Sequence, residues 1–239
     1  MKAIVLTCDR YRPVTEHMIF KYGQLWPIHP FHFCVPYQFL PCQESDQILF
    51  IKSCASIKAT VLAMLDGLDE EEWIYWCIDD KYPVQLNLPK IATVIQWLTD
   101  PRTLGVSGVL FCRCRGMLED RNLTGARVID DSGNIYLERK AYEQIWIHQF
   151  LRVKVIRHLF KSFPDVIPYA SIMDSFKSEV VKPSTHRLYV TEQNLAVFGE
   201  STLKGILTQN CYESIVENGL FLPVALAASI ERKVILGKI

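Results

Sequence analysis

Nowhere in the 239 residues does an apolar run approach the ~18–20 needed to span a bilayer. Net charge is missing as well: 26 Lys plus Arg balance 26 Asp plus Glu. The chain therefore lacks the bulk basic footprint of a nucleic-acid binder, and no nucleic-acid partner is expected. None of the eight cysteines forms a Cys-x-x-Cys pair. Cys112 and Cys114 alternate on a strand, but no second pair at zinc spacing accompanies them. Reduced, mostly buried thiols in a cytoplasmic protein are expected. The apolar part of Met1 to Asp9 is too short for a signal peptide and reads as a first strand. No Gly-x-Gly-x-x-Gly follows that strand, which counts against a dinucleotide fold, and no Gly-x₄-Gly-Lys-Ser/Thr marks a P-loop. An aspartate-nucleophile phosphatase carries Asp-x-Asp there, and Cys8-Asp9-Arg10 does not. Without repeats, low-complexity tracts or a long linker, one domain over 1–239 is expected.

What is present is globular: 49% apolar and 22% charged residues. The most informative stretch is Trp73-Ile74-Tyr75-Trp76-Cys77-Ile78-Asp79-Asp80-Lys81-Tyr82-Pro83. Its apolar, aromatic first part reads as a buried central strand that Pro83 closes. In open α/β sheets ligands bind outside the carboxyl ends of strands, where Asp79 and Asp80 fall. Adjacent carboxylates repel, and Mg²⁺ or Mn²⁺ is the usual remedy, completed by substrate phosphates. The competing reading is a solvated turn with one Asp as a cap.

Around this stretch, strands are expected at 2–8, 31–35, 48–51 and 106–112. Helices are expected from Pro13 to Trp26, from Ser53 or Ser56 to Leu68, and over 88–98. Strand–helix alternation in the first third argues for parallel pairing. Asp130-Asp131-Ser132-Gly133-Asn134 is a strong turn signal, predicting a hairpin between 126–129 and 135–137. A long helix is expected over Ala141–Phe160, with a basic face at Arg152, Lys154, Arg157, His158 and Lys161. A solvated face is the plain reading, and contact with anionic headgroups the alternative. A short helix over 168–177 precedes strands His186–Val190 and Leu195–Phe198, expected to pair across Thr191–Asn194. Gly199-Glu200-Ser201-Thr202-Leu203-Lys204-Gly205 follows as a turn or helix start.

Thr7-Cys8-Asp9-Arg10-Tyr11 ends the first strand with a hydroxyl, a carboxylate and an aromatic, groups that bond and stack on a nucleobase or ribose. An ordinary strand-to-helix turn is the alternative. Together with Trp76-Cys77-Ile78-Asp79-Asp80-Lys81-Tyr82 on the later strand and Gln144-Ile145-Trp146-Ile147 beyond the hairpin, these residues resemble nucleotide-sugar-dependent glycosyltransferases of the GT-A fold. The resemblance covers most of 1–150. It implies a single-domain, mixed, mostly parallel sheet flanked by helices, with a hairpin and a C-terminal extension. Residues 1–118 would form the nucleotide-binding half and 119–239 the acceptor side. It further implies a uridine-diphosphate-type sugar donor and Mn²⁺ or Mg²⁺. The acceptor stays open, with a glycan or a lipid-linked sugar among the choices.

By the resemblance, Thr7, Cys8, Asp9, Tyr11 and Asp79 would contact base, ribose or sugar, and Asp80, with Asp79 assisting, would hold the metal. The sequence departs from the family's Asp-x-Asp, because the position after Asp79-Asp80 is Lys81. Lys81 would then neutralise phosphate charge or make the metal partly dispensable. A late histidine ligand is also implied, and His186 is the candidate. Ser201 and Lys204 on the Gly-flanked turn would bind the leaving diphosphate, against a plain surface turn. An inverting transferase needs a general base, for which Asp130, Asp131, Glu138 and Asp174 are open. Trp146 is either an acceptor platform or core. A sugar-phosphate nucleotidyltransferase and a non-catalytic nucleotide-sugar-binding protein are the alternative functions.

Overall fold

The computed structural model describes residues 1–40, 45–112, 120–222, 226 and 230–239. Cys42, Cys114 and the expected division at 118 lie outside them. β1 (Lys2–Leu6) leads into α1 (Arg12–Leu25), and β2 (His32–Tyr37) and β3 (Ile48–Lys52) follow. Next come α2 (Ile57–Met64), β4 (Trp73–Ile78), β5 (Lys81–Leu86), α3 (Leu88–Leu98) and β6 (Val106–Leu110). β7 (Leu123–Ile129) and β8 (Ile135–Arg139) form the hairpin, followed by β9 (Gln149–Arg152), α4 (Val153–Ser162) and α5 (Met173–Glu179). β10 (Arg187–Thr191), β11 (Ala196–Glu200), β12 (Thr202–Leu203) and β13 (Ile206–Thr208) precede α6 (Gln209–Glu217). β14 (Ile230–Glu231) and β15 (Ile235–Leu236) end the chain.

Nine strands make one sheet in the order β3-β2-β1-β4-β9-β6-β10-β8-β7. β1 pairs in parallel with both β2 and β4, while β9 is antiparallel to β4 and β6. Among the described strands of this sheet, β8 and β9 run against the others. The mixed, mostly parallel architecture is the one expected. Both of its faces are covered, because β4 alternates: Tyr75 and Cys77 enter one core, Ile74, Trp76 and Ile78 the other. The first core packs under α1, α3 and α6 through Val14, Met18, Tyr22, Ile91, Val94 and Ile215. The second packs under α2 and α4 through Val61, Met64, Val155, Ile156 and Leu159. Each such fully buried large side chain contributes about 1.5–3 kcal/mol. The helix starts are capped as their sequences suggest: Ser56 accepts from Ala59 N, Asn87 from Lys90 N and Thr208 from Cys211 N.

Three expectations are corrected. The helix over 141–160 is instead a turn, then β9, then α4. Gln144 has φ of 54°, which breaks a helix, and Gln149 donates to the carbonyls of Gln144 (2.9 Å) and Ile147 (3.1 Å). Residues 149–152 then fill the gap between β4 and β6, so sheet pairing overrides helical spacing. Secondly, 187–191 and 196–200 do not pair with each other. β10 enters the large sheet, whereas β11 joins a three-stranded sheet between β5 and β15. Thirdly, Pro83 does not end the segment: it sits within β5, the edge strand of that small sheet, opposite a register shift in β11 where a missing N–H is tolerated.

Candidate functional site

The chain runs from β1 outward through β2 and β3 and then crosses to β4 on the other side of β1. The carboxyl ends of β1 and β4 therefore flank the point where the strand order reverses, the place where open sheets bind ligands. Leu6 and Ile78 are register partners there, and Asp79 N donates to Leu6 O (3.3 Å). His148 holds this end in place. Burial lowers its pKa to about 4, so the ring is neutral. Its Nε2–H donates to the Ile78 carbonyl (2.8 Å) and its Nδ1 accepts from the Tyr22 hydroxyl (2.7 Å). Tyr22 in turn bonds the Tyr75 hydroxyl at 2.7 Å.

Asp79 is partly buried, and the Thr7 hydroxyl favours its ionised form. Burial, and then the neighbouring Asp80 carboxylate, push its pKa up to about 7. Thr7 also bonds the Thr15 hydroxyl of α1 at 2.8 Å. Asp80 turns the chain into β5: its carbonyl accepts from Ser201 N at 2.6 Å. Its carboxylate is 2.9 Å from Lys81 Nζ, and Glu200 approaches the same ammonium at 3.8 Å. Burial raises the pKa of Cys8 and of Tyr11, and the Asp79 carboxylate adds to both. Lys204 and Gly205 take φ of 52° and 80° in the two-residue turn between β12 and β13, the signature of a primed hairpin turn. The tip reaches Tyr11: a Cβ on Gly205 would lie 3.1 Å from the Tyr11 hydroxyl. Thr7, Cys8, Tyr11, Asp79, Asp80, Lys81, Ser201 and Lys204 are thus gathered around one strand edge.

Asp9 is adjacent in sequence, and its carboxylate is taken up by the loop after β2. Its carboxylate accepts from Phe39 N (2.7 Å), Gln38 N (3.1 Å), Leu40 N (3.1 Å) and Arg12 (2.8 Å). Burial pushes its pKa up, yet those amides and Arg12 hold it below the ordinary carboxylate value. Asp9 therefore staples the loop after β2 to the loop after β1.

His186 does not join the acidic pair. It precedes β10, and β10 runs in the direction of β4, which puts His186 at the opposite edge of the sheet. There it bonds the Tyr142 hydroxyl (3.0 Å) and meets the His158 ring at 5.2 Å. Asp174 binds Trp146 Nε1 (2.7 Å) and Lys177 (2.9 Å) on the side of α4, where Trp146 packs on Phe160 and Phe163. Asp130 is consumed by its turn, accepting from Ser132 N, Asn134 N, Asn134 Nδ2 and the Tyr136 hydroxyl. Asp131 pairs with Arg102, and Glu138 with Arg187 (3.3 Å). The basic face of α4 is an ion-pair ladder, Lys154 with Glu71 and Arg157 with Glu70, both 2.6 Å. Among the described residues no helix is long and apolar enough to cross a membrane.

The donor set does not fit a divalent ion. The best-placed carboxylate, Asp80, already carries an ammonium, and the expected histidine is across the sheet. Among the described residues no group of three or more His, Cys, Asp or Glu side chains is placed to hold a metal. Sequence reasoning missed Glu200, which showed only as an acid inside a turn signal. His148 read as a satisfied core or surface histidine, and it is a buried one with both ring nitrogens bonded.

No family model matches the chain, and no curated protein matches it. Among solved structures it is similar to 4-diphosphocytidyl-2C-methyl-D-erythritol synthase from Anaerococcus prevotii, with TM-score 0.44, 9% identity, and 91% of this chain and 95% of that one covered. Galactosyltransferase LgtC in complex with donor and acceptor sugar analogs is similar at TM-score 0.40 and 13% identity, over 77% of this chain and 67% of that one. The Francisella tularensis 2-C-methyl-D-erythritol 4-phosphate cytidylyltransferase is similar at 0.44 and 11%, over 91% and 98%. At these TM-scores the likenesses carry no weight for function, which is read from the site's own residues.

Proposed function

We propose that this chain is a glycosyltransferase that takes a uridine-diphosphate-type sugar at the carboxyl edge of β1 and β4. The observation that carries the reading is the convergence of Tyr11, Asp79, Lys81 and the Lys204–Gly205 turn at the switch point of the sheet. Tyr11 offers a ring for the base. Asp79, with a pKa of about 7, donates to or accepts from a ribose or sugar hydroxyl near neutrality. In the transfer step an acceptor hydroxyl oxygen bonds the anomeric carbon and gives its proton to a base or to water, while the bond from that carbon to the phosphate oxygen breaks and charge builds on the departing diphosphate. Fixed cations beside that oxygen stabilise the change more than water does, because they need no reorganisation. Lys81 is fixed in this sense, and Lys204 lies on the two-residue turn between β12 and β13.

One observation favours a second reading, a non-catalytic nucleotide-sugar-binding protein: the candidate bases Asp130, Asp131, Glu138 and Asp174 are each held in contacts of their own. Release of uridine diphosphate from a panel of its sugar conjugates, followed by coupled assay, separates the two. Turnover supports the transferase, and calorimetric binding without turnover supports the binding protein. Absence of both sinks the uridine reading.

A further inference from the structure

We infer that the ammonium of Lys81 occupies the place of a divalent cation in this site, so that a nucleoside diphosphate binds here without metal. The inference rests on the reading of the cleft as a diphosphate site. Lys81 opens β5 and Glu200 closes β11, and the two are register partners across the antiparallel pair. Their side chains are 11% and 7% exposed, so the ammonium is placed by the fold and not by a mobile surface rotamer. From the other side Asp80 closes on it at 2.9 Å, its backbone locked by Ser201 N. A cation held between a carboxylate of one turn and a carboxylate of another strand is the arrangement by which a metal would quench the same repulsion. Here the chain supplies the charge itself. A divalent ion seeking Asp80 would have to approach or expel an ammonium, and both are unfavourable at such range.

The arrangement inverts the expected behaviour of Asp80. As a metal ligand, Asp80 would be required for diphosphate binding. As the counterion of Lys81, it competes with the diphosphate for one ammonium and repels the incoming phosphates. Removing its charge should therefore improve binding.

The test is calorimetric titration of uridine diphosphate into the full chain, in EDTA and in Mn²⁺, for the wild type, Asp80→Asn and Lys81→Met. The expected result is binding in EDTA that Mn²⁺ leaves unchanged within about twofold. Asp80→Asn should bind roughly threefold to tenfold more tightly, the range for one partly exposed charge. Lys81→Met should bind about tenfold or more weakly, as for loss of one partly buried charge-assisted contact. Should Lys81→Met fail to fold, Asp80→Asn decides alone, since its side chain is 38% exposed. Binding that needs Mn²⁺ and is lost in Asp80→Asn overturns this inference while leaving the donor site in place. Binding in EDTA that Lys81→Met does not weaken also overturns it. No binding of uridine diphosphate under any condition refutes the proposed function itself.

Discussion

Asp79→Asn should stabilise the protein at pH 8 and have little effect at pH 4. Asp79 follows β4 beside the end of β1, next to the Asp80 carboxylate in the chain and near enough to Cys8 and Tyr11 to raise the pKa of both. Burial first, and the Asp80 carboxylate second, raise its pKa from the ordinary 3.8 to about 7. The folded protein therefore keeps a proton that the unfolded chain gives up, and stability falls as pH rises from about 4 to about 7. Below that window both states are protonated and nothing is lost. Above it both are ionised and the full cost is present. At about 1.4 kcal/mol per tenfold change in proton affinity, the gap bounds the cost at ~4 kcal/mol. Partial solvent access brings the expected gain from Asp79→Asn to about 2 kcal/mol at pH 8. Asparagine cannot ionise, and it matches the carboxylate closely in size and shape. Urea unfolding of both proteins at half-unit steps from pH 4 to pH 8 measures the difference directly. A constant difference across that range, or a wild type that gains stability relative to the variant as pH rises, refutes the reasoning.

Two further substitutions separate scaffold from site. Asp130→Ala removes the acceptor of two backbone amides, an amide side chain and the Tyr136 hydroxyl. It should cost about 1–3 kcal/mol in urea unfolding while leaving affinity for uridine diphosphate unchanged, whereas loss of affinity in a folded variant would return Asp130 to the site. Gly199→Ala places a Cβ 2.5 Å from Cζ of the buried Tyr82 ring, which Asn210 anchors at 2.9 Å. That overpacking should cost roughly 1–3 kcal/mol, and an unchanged urea midpoint would show that the ring yields freely.

Much of the fold was written locally. The unbroken apolar run of β4 required cover on both faces, the Asp130–Asn134 turn carried its own acceptor, and Ser56 marked a helix start. Asp79 and Asp80 at a strand's carboxyl end followed from the same run, because the switch from apolar to acidic residues marks where burial stops. What the sequence could not settle was partnership between distant segments. Residues 149–152 sit next to helix-forming neighbours and become a strand only because β4 and β6 offer them unpaired edges. His186 and Asp80 are of the right types for one site, but strand direction places them at opposite edges. Glu200 meets Lys81 only through the pairing of β5 with β11, across more than a hundred residues of chain. Local chemistry is set by neighbours in sequence, whereas charge neutralisation and ligand geometry are set by neighbours in space. Only the tertiary structure decided those.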